Sequence, residues 1–150
     1  MLESFNRMIE DAEAARKKAR AIARVAGPAL ARDASEQAKK IGDIRLYSVF
    51  DEELDDDYYI AIGEKAIELD PSLVFVAFVA KGQGMRVIVF AGEQARKKSV
   101  KAGALAKQLS AKLGGSGGGD DRFGQGGGRL KERVKEALLL AEEMVAKAGL

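Results

Sequence analysis

The stretch Leu73-Val-Phe-Val-Ala-Phe-Val-Ala80 constrains the fold more than any other. It is apolar throughout and rich in β-branched and aromatic residues, so it reads as a strand buried on both faces. Lys81-Gly-Gln-Gly84 follows as a hairpin-length turn, and Met85-Arg-Val-Ile-Val-Phe-Ala91 returns as a second strand. Burying Val74, Phe75, Phe78, Val87, Val89 and Phe90 is expected to contribute about 1.5–3 kcal/mol each. This hairpin is the expected centre of the core.

The remaining periodicities surround it with helices. Ile44 to Phe50 alternates like a half-buried strand. A helix with Leu54, Tyr58, Ala61, Ile62, Ala66 and Leu69 on one face comes next and must stop before Asp70-Pro71. Ser99 is an expected N-cap for a helix running to about Leu113, and a last helix is expected from about Arg129 to Lys147. Upstream, Leu2, Phe5, Ile9 and Ala12 follow coiled-coil spacing; the stripe slips by one residue and continues as Ala15, Ala19, Ile22 and Ala26. Gly27-Pro28 breaks this helix, and a second one is expected from Pro28 to about Ile41, stopped by Gly42. The fold class is therefore α+β. A two-helix arm over residues 1–42 precedes a compact α/β unit, residues 43–150, with a small central sheet flanked by helices and a glycine-rich loop over residues 114–128. The arm's narrow alanine stripe suits a second copy of itself; packing on its own core is the other reading.

Residue types missing from the chain limit its chemistry. It has neither cysteine nor histidine. That removes disulfides, thiolate metal sites, the serine-protease triad and the usual zinc ligands. An enzyme here would work with carboxylates, lysines or tyrosines alone. The start MLESFNRMIEDAEAARKK carries acidic residues and no apolar signal region, and no apolar run approaches the roughly 18 residues of a membrane span. A cytoplasmic location without membrane contact is the expectation. Asp51-Glu-Glu-Leu-Asp-Asp-Asp57 holds six carboxylates in seven residues. A phosphoesterase could use Asp51, Glu52, Asp55, Asp56 and Asp57 as metal ligands. The stronger reading is a helix start, where acidic side chains meet free N–H groups.

The net charge of +2 hides an uneven distribution. Residues 46–75 carry one basic and nine acidic side chains, whereas residues 76–135 carry thirteen basic and four acidic ones. The basic segment contains GGSGGGDDRFGQGGG, residues 114–128, in which nine of fifteen positions are glycine. A tether would use such residues between independent units, but the flanking helices are too short to be domains. Asp120, Asp121, Arg122, Phe123 and Gln125 also interrupt the glycines with groups able to specify contacts. A built surface is the better reading. Glycine lets a partner approach bare backbone, and successive N–H groups can face an anion. The stretch is neither a Walker motif nor a dinucleotide fingerprint.

Val100-Lys-Ala-Gly-Ala-Leu105, a helix, and then GGxGGG-x5-QGGG resembles the DHH-associated domain, and more narrowly the C-terminal domain of alanyl-tRNA synthetase of the archaeal type. The resemblance covers essentially the whole chain; its specific part is Val100 to Gly128. It implies a domain without chemistry of its own, within a longer protein of which Met1 opens only a piece. The parent would join alanine to its tRNA, and ATP, Mg and Zn would belong to that parent. The domain would hold the alanine tRNA near its outer corner, support aminoacylation and editing by upstream domains, and dimerise through the arm residues Leu2 to Ala26 named above. Lys97, Lys98, Lys101, Arg122 and Arg129 would touch or steer phosphate, with Gly117, Gly118, Gly119, Gly126, Gly127 and Gly128 behind them and Gln125 in register with the family. Where the family has Arg-Pro-Asp-Met-Ala, this chain has Asp120-Asp-Arg-Phe-Gly124. Asp120 cannot replace the arginine, and Arg122 is the candidate replacement, shifted by two. Related phosphoesterases carry a histidine in the glycine motif, and this chain does not. The alternative function is an assembly domain that binds no RNA.

Overall fold

The computed structural model describes residues 32–149. The arm stripe from Leu2 to Ala26 lies outside the described residues. Six strands form one sheet: β1 (Lys39–Ile41), β2 (Ile44–Asp51), β3 (Leu73–Lys81), β4 (Gly84–Ala91), β5 (Ser116–Gly119) and β6 (Phe123–Gly128). Their spatial order is β1-β2-β3-β4-β6-β5. β2 and β3 are parallel, and the other neighbouring pairs are antiparallel. Among the described residues, residues 32–37 are helical, and four further helices follow: α1 (Asp56–Leu69), α2 (Glu93–Lys97), α3 (Ala102–Lys112) and α4 (Val134–Gly149).

A parallel pair needs a crossover, and α1 supplies it between β2 and β3. The acidic run starts this helix. The Asp55 carboxylate accepts the N–H of Asp57 at 2.7 Å as the N-cap, and Asp51 accepts the N–H of Glu53 at 2.7 Å and the Tyr59 hydroxyl. At the other end the N–H of Asp70 donates to the Ala66 carbonyl, and Pro71 prevents continuation.

β3 is buried from Leu73 to Val79, as its unbroken apolar run requires. Its odd-numbered side chains, together with Ile88 and Phe90 of β4, pack under Tyr58, Tyr59, Ile62 and Ala66 of α1. Its even-numbered side chains, with Val87 and Val89, pack under α3 and α4, which contribute Leu105, Leu109, Ala137, Ala141 and Val145. The sheet therefore has an α1 face and an α3 face.

Four local expectations are corrected. Residues 32–37 are helical, but 39–41 form strand β1 and not the end of a helix; Gly42, at φ 61°, turns the chain into β2. Ser99 is not an N-cap. It sits at φ 71° after the short helix α2, and α3 begins past Lys101, without a side-chain cap. Its first N–H groups are met instead by main chain: Ala102 donates to the Asp121 carbonyl at 3.0 Å and Gly103 to that of Asp120 at 2.7 Å. The last helix begins at Val134, after a 3-10 turn over Lys131–Arg133. Finally, the glycine-rich stretch is not a loop, because most of it forms strands β5 and β6 of the sheet.

Candidate nucleic-acid interface

Glycine has the weakest strand preference after proline, so β5 and β6 form through their surroundings. β6 lies between β4 and β5 and is laddered to both. On the α3 face the helix lies against bare backbone. A Cβ on Gly124 would stand 2.5 Å from the Ala102 carbonyl oxygen, and one on Gly103 would stand 2.5 Å from that of Gly119. Cβ atoms on Gly126 and Gly128 would collide with the Ser110 hydroxyl and the Leu113 carbonyl. The buried Ser110 hydroxyl makes no hydrogen bond among the described residues. Three of the nine glycines, Gly124, Gly126 and Gly128, are thus explained by packing against α3.

The α1 face of the same hairpin differs. Register places Phe123, Gln125 and Gly127 opposite Phe90, Ile88 and Arg86, and places Gly118 opposite Gln125. α1 covers β3 and β4 but stops at Phe123, whose ring lies 4.7 Å from that of Phe90. Beyond it Gln125 is exposed, and a Cβ on Gly118 would meet nothing within 4 Å. At the Gly84 end this face opens into a groove of about 370 Å3, lined by Lys81, Arg86, Ser116 and the main chain of Gly126 to Gly128. Asp56 of α1 reaches Lys81 at 3.5 Å and Arg86 at 3.8 Å, and Lys131 donates to the Gly82 carbonyl at 2.9 Å. The Arg86 Nε has no hydrogen-bond acceptor among the described residues.

The structure divides the residues singled out in the sequence. Phe90 pairs with Phe123 and Met85 with Gly128, so β6 runs from the Ala91 end of the sheet to its Gly84 end. Lys97, Lys98 and Lys101 follow β4 at the Ala91 end. Gly126, Gly127, Gly128 and the exposed Arg129 lie at the Gly84 end. The expected anion nest does not form at Gly126 and Gly127, because each has a strand partner on both sides. Within this hairpin the outer edge of β5, residues Ser116 to Gly119, leaves alternate N–H groups unladdered.

Arg122 is held on α1, 3.6 Å from the Glu64 carboxylate and 3.7 Å from that of Glu68. Asp120 does turn work: its carboxylate accepts the N–H groups of Phe123 at 2.8 Å and Arg122 at 2.9 Å. Those bonds hold it below the usual carboxylate range. Lys98 meets Asp43 at 3.3 Å, and Lys97 meets Glu93 at 3.7 Å. The carboxylates of Asp55, Asp56 and Asp57 lie within 4.8 Å of one another. Asp55 is occupied as a cap and Asp56 by its two cations. Sequence reasoning missed Lys81 and Arg86, which join the glycines only through the pairing of β4 with β6. The one available signal was Arg86 as the polar residue inside an apolar strand.

A family model for the DHHA1 domain matches residues 46–147. The chain belongs to the DHHA1 domain family. For this DHHA1 domain the similar curated proteins are alanine–tRNA ligases. That of Nitrosopumilus maritimus is 40% identical over 91 residues, covering 61% of this chain and 10% of the relative. That of Methanopyrus kandleri is 28% identical over 138 residues, covering 92% of this chain and 15% of the relative. The chain thus spans 10% to 15% of the length of these relatives. Among solved structures, the C-Ala domain of Aquifex aeolicus alanyl-tRNA synthetase superposes with a TM-score of 0.66 at 23% identity, covering 73% of this chain and 98% of that one. That likeness is one of fold. No helix among the described residues is long and apolar enough to cross a membrane.

Proposed function

We propose that this DHHA1 domain binds tRNA as the C-terminal part of an alanine–tRNA ligase, with the open α1 face of the β5–β6 hairpin as its contact surface. The observation that carries the reading is the bare strand pair: Gly118 has open space above it, and a groove with Lys81 and Arg86 adjoins it. Side-chain-free backbone lets a sugar-phosphate strand lie close, and the neighbouring cations supply the attraction. Recognition at the corner of a tRNA would rest on shape, phosphates and 2′-hydroxyls more than on base sequence. Gln125 and the β5 edge offer the hydrogen-bonding groups, with Gly117 and Gly119 on that edge. Arg129 and the groove cations offer charge to the strand crossing Gly126 to Gly128. Lys97, Lys98 and Lys101 would steer from the Ala91 end, and Arg122 would engage phosphate only by leaving Glu64 and Glu68. The domain contributes no chemistry in this reading, and alanine transfer belongs to upstream parts of the parent.

The expected result is a tRNA affinity that falls with salt, with a log–log slope of about 0.7–0.9 per phosphate contact. A salt-independent affinity contradicts the phosphate account, and absence of a gel shift at moderate salt favours the assembly-domain reading. Homodimerisation through Leu2, Phe5, Ile9, Ala12, Ala15, Ala19, Ile22 and Ala26 is a separate part of the proposal. Replacing Ile9 or Ile22 by glutamate should convert dimer to monomer in sedimentation; unchanged sedimentation removes the arm from the interface.

A further inference from the structure

At the Ala91 end of the sheet, the β1–β2 turn, the start of β3 and helix α2 enclose a cleft of about 500 Å3. Lys40, Arg45, Lys97 and Lys98 line it against one carboxylate, Asp43, and Ser72 and Gln94 add neutral polar groups. Four cations to one acid select an anionic ligand over a metal ion.

Local partners occupy these cations only in part. Lys98 is bridged to Asp43, whose side chain is 77% exposed, and such a screened pair exchanges readily for another anion. Lys97 meets Glu93 along its own helix, with both side chains about 70% exposed in water. Arg45 lies 3.7 Å from Asp70 and donates to the Ser35 hydroxyl at 3.4 Å, both through Nη1, which leaves the rest of its donor fork open. Lys40 forms no ion pair among the described residues. The cleft therefore holds cations from β1, β2 and the α2 segment whose mutual repulsion a bound anion would relieve.

We infer that this cleft binds a phosphate group carried by a nucleotide, either free or at the end of an RNA strand. Phosphate suits the set: the guanidinium fork of Arg45 can take two oxygens, and the lysines act as point charges around it. The volume exceeds what a bare phosphate fills and lies within the roughly 300–1,000 Å3 of small-molecule sites. Ser72 and Gln94 can then meet a sugar or base. The cleft lies at the Ala91 end of the sheet, beside β1 and β2, whereas the groove with Lys81 and Arg86 lies at the Gly84 end beside β5 and β6. The inference rests on the lining charges; it shares Lys97 and Lys98 with the tRNA reading but does not use the hairpin face.

The test is an amide NMR titration of the 150-residue chain with AMP, adenosine, and an RNA hexamer bearing either a 5′-phosphate or a 5′-hydroxyl. AMP is expected to shift the amides of Gly42, Asp43, Ser72 and Gln94 saturably, and adenosine is not. Binding of the 5′-phosphorylated hexamer tenfold or more tighter than both AMP and the 5′-hydroxyl hexamer assigns the site to RNA ends; binding equal to or weaker than AMP assigns it to free nucleotides, and equal binding of the two hexamers, tighter than AMP, overturns the inference in favour of internal phosphates. The Lys40→Glu/Lys97→Glu pair should weaken AMP binding at least tenfold. If that pair unfolds, Lys40→Ala/Lys97→Ala should weaken it several-fold. Three further results overturn the inference: no saturable AMP shift at these amides, adenosine binding as well as AMP, or a folded double variant that binds AMP like the parent. Any of them with tRNA affinity retained would leave the hairpin reading standing.

Discussion

The two hairpins β3–β4 and β5–β6 lie side by side in one sheet and are stabilised in opposite ways. β3–β4 is filled with side chains on both faces, and Phe75 and Phe78 are fully buried. β5–β6 has almost no side chains, and its α3 face is occupied by helix backbone. Burial of apolar area stabilises the first. In the second, close packing of α3 and ladder hydrogen bonds replace it, at the entropic cost of ordering glycine. A side chain added to the first has nowhere to go on either face. One added to the second is excluded on the α3 face, and on the α1 face it is excluded at Gly127 by the Met85 carbonyl but meets nothing within 4 Å at Gly118. Gly124, Gly126 and Gly128 thus serve packing against α3, and Gly118 serves exposure on the other face.

That contrast can be broken in several places. Phe75→Ala should have the largest effect, a loss of about 3–5 kcal/mol in chemical denaturation; a much smaller loss would mean the filled hairpin is not the centre of the core. Gly124→Val comes next. Its side chain would enter the Ala102 carbonyl 2.5 Å from the Cβ position, and overpacking of this kind costs about 1–3 kcal/mol. Unchanged stability would show that α3 does not lie on the backbone as described.

Titration probes the junction of α1 with the filled hairpin. Burial alone would raise the Asp70 carboxyl, but hydrogen bonds from Ser35 and Ser72 and the charge of Arg45 together hold it below its ordinary range. A depressed carboxyl stabilises the fold above its unfolded pKa of about 3.9, and that contribution is lost as pH falls through the folded value. Asp70→Asn should therefore flatten the acid limb of the stability–pH curve, read by denaturation between pH 5 and 2, whereas Gly124→Ala should leave that limb's shape alone. Gly118→Ala should have the smallest effect, within about 0.5 kcal/mol, because its Cβ enters open space.

Legibility in the sequence followed side chains. The unbroken apolar run of β3 and the alternation in β2 carry their own period, so both strands could be read within a residue or two of their ends. Proline and the acidic N-cap marked the limits of α1. Strands β5 and β6 could not be read as strands, since glycine carries no pattern and their pairing is decided by β4 and α3. Lys39 to Ile41 is too short for a period to appear, so its place beside β2 was invisible. The expected RNA set was assembled by nearness in sequence. Register instead carries Gly126 to Gly128 away from Lys97 and Lys98 and toward Lys81 and Arg86, about 40 residues earlier in the chain.

The most direct test of the open glycine face is tRNA affinity of Gly118→Glu at low salt, measured beside its melting temperature. The account predicts a protein that melts within a few degrees of the parent and binds at least tenfold more weakly, because a bulky negative group now stands where the nucleic acid must lie. A Gly118→Glu protein that stays folded and binds tRNA with the parent's affinity contradicts it.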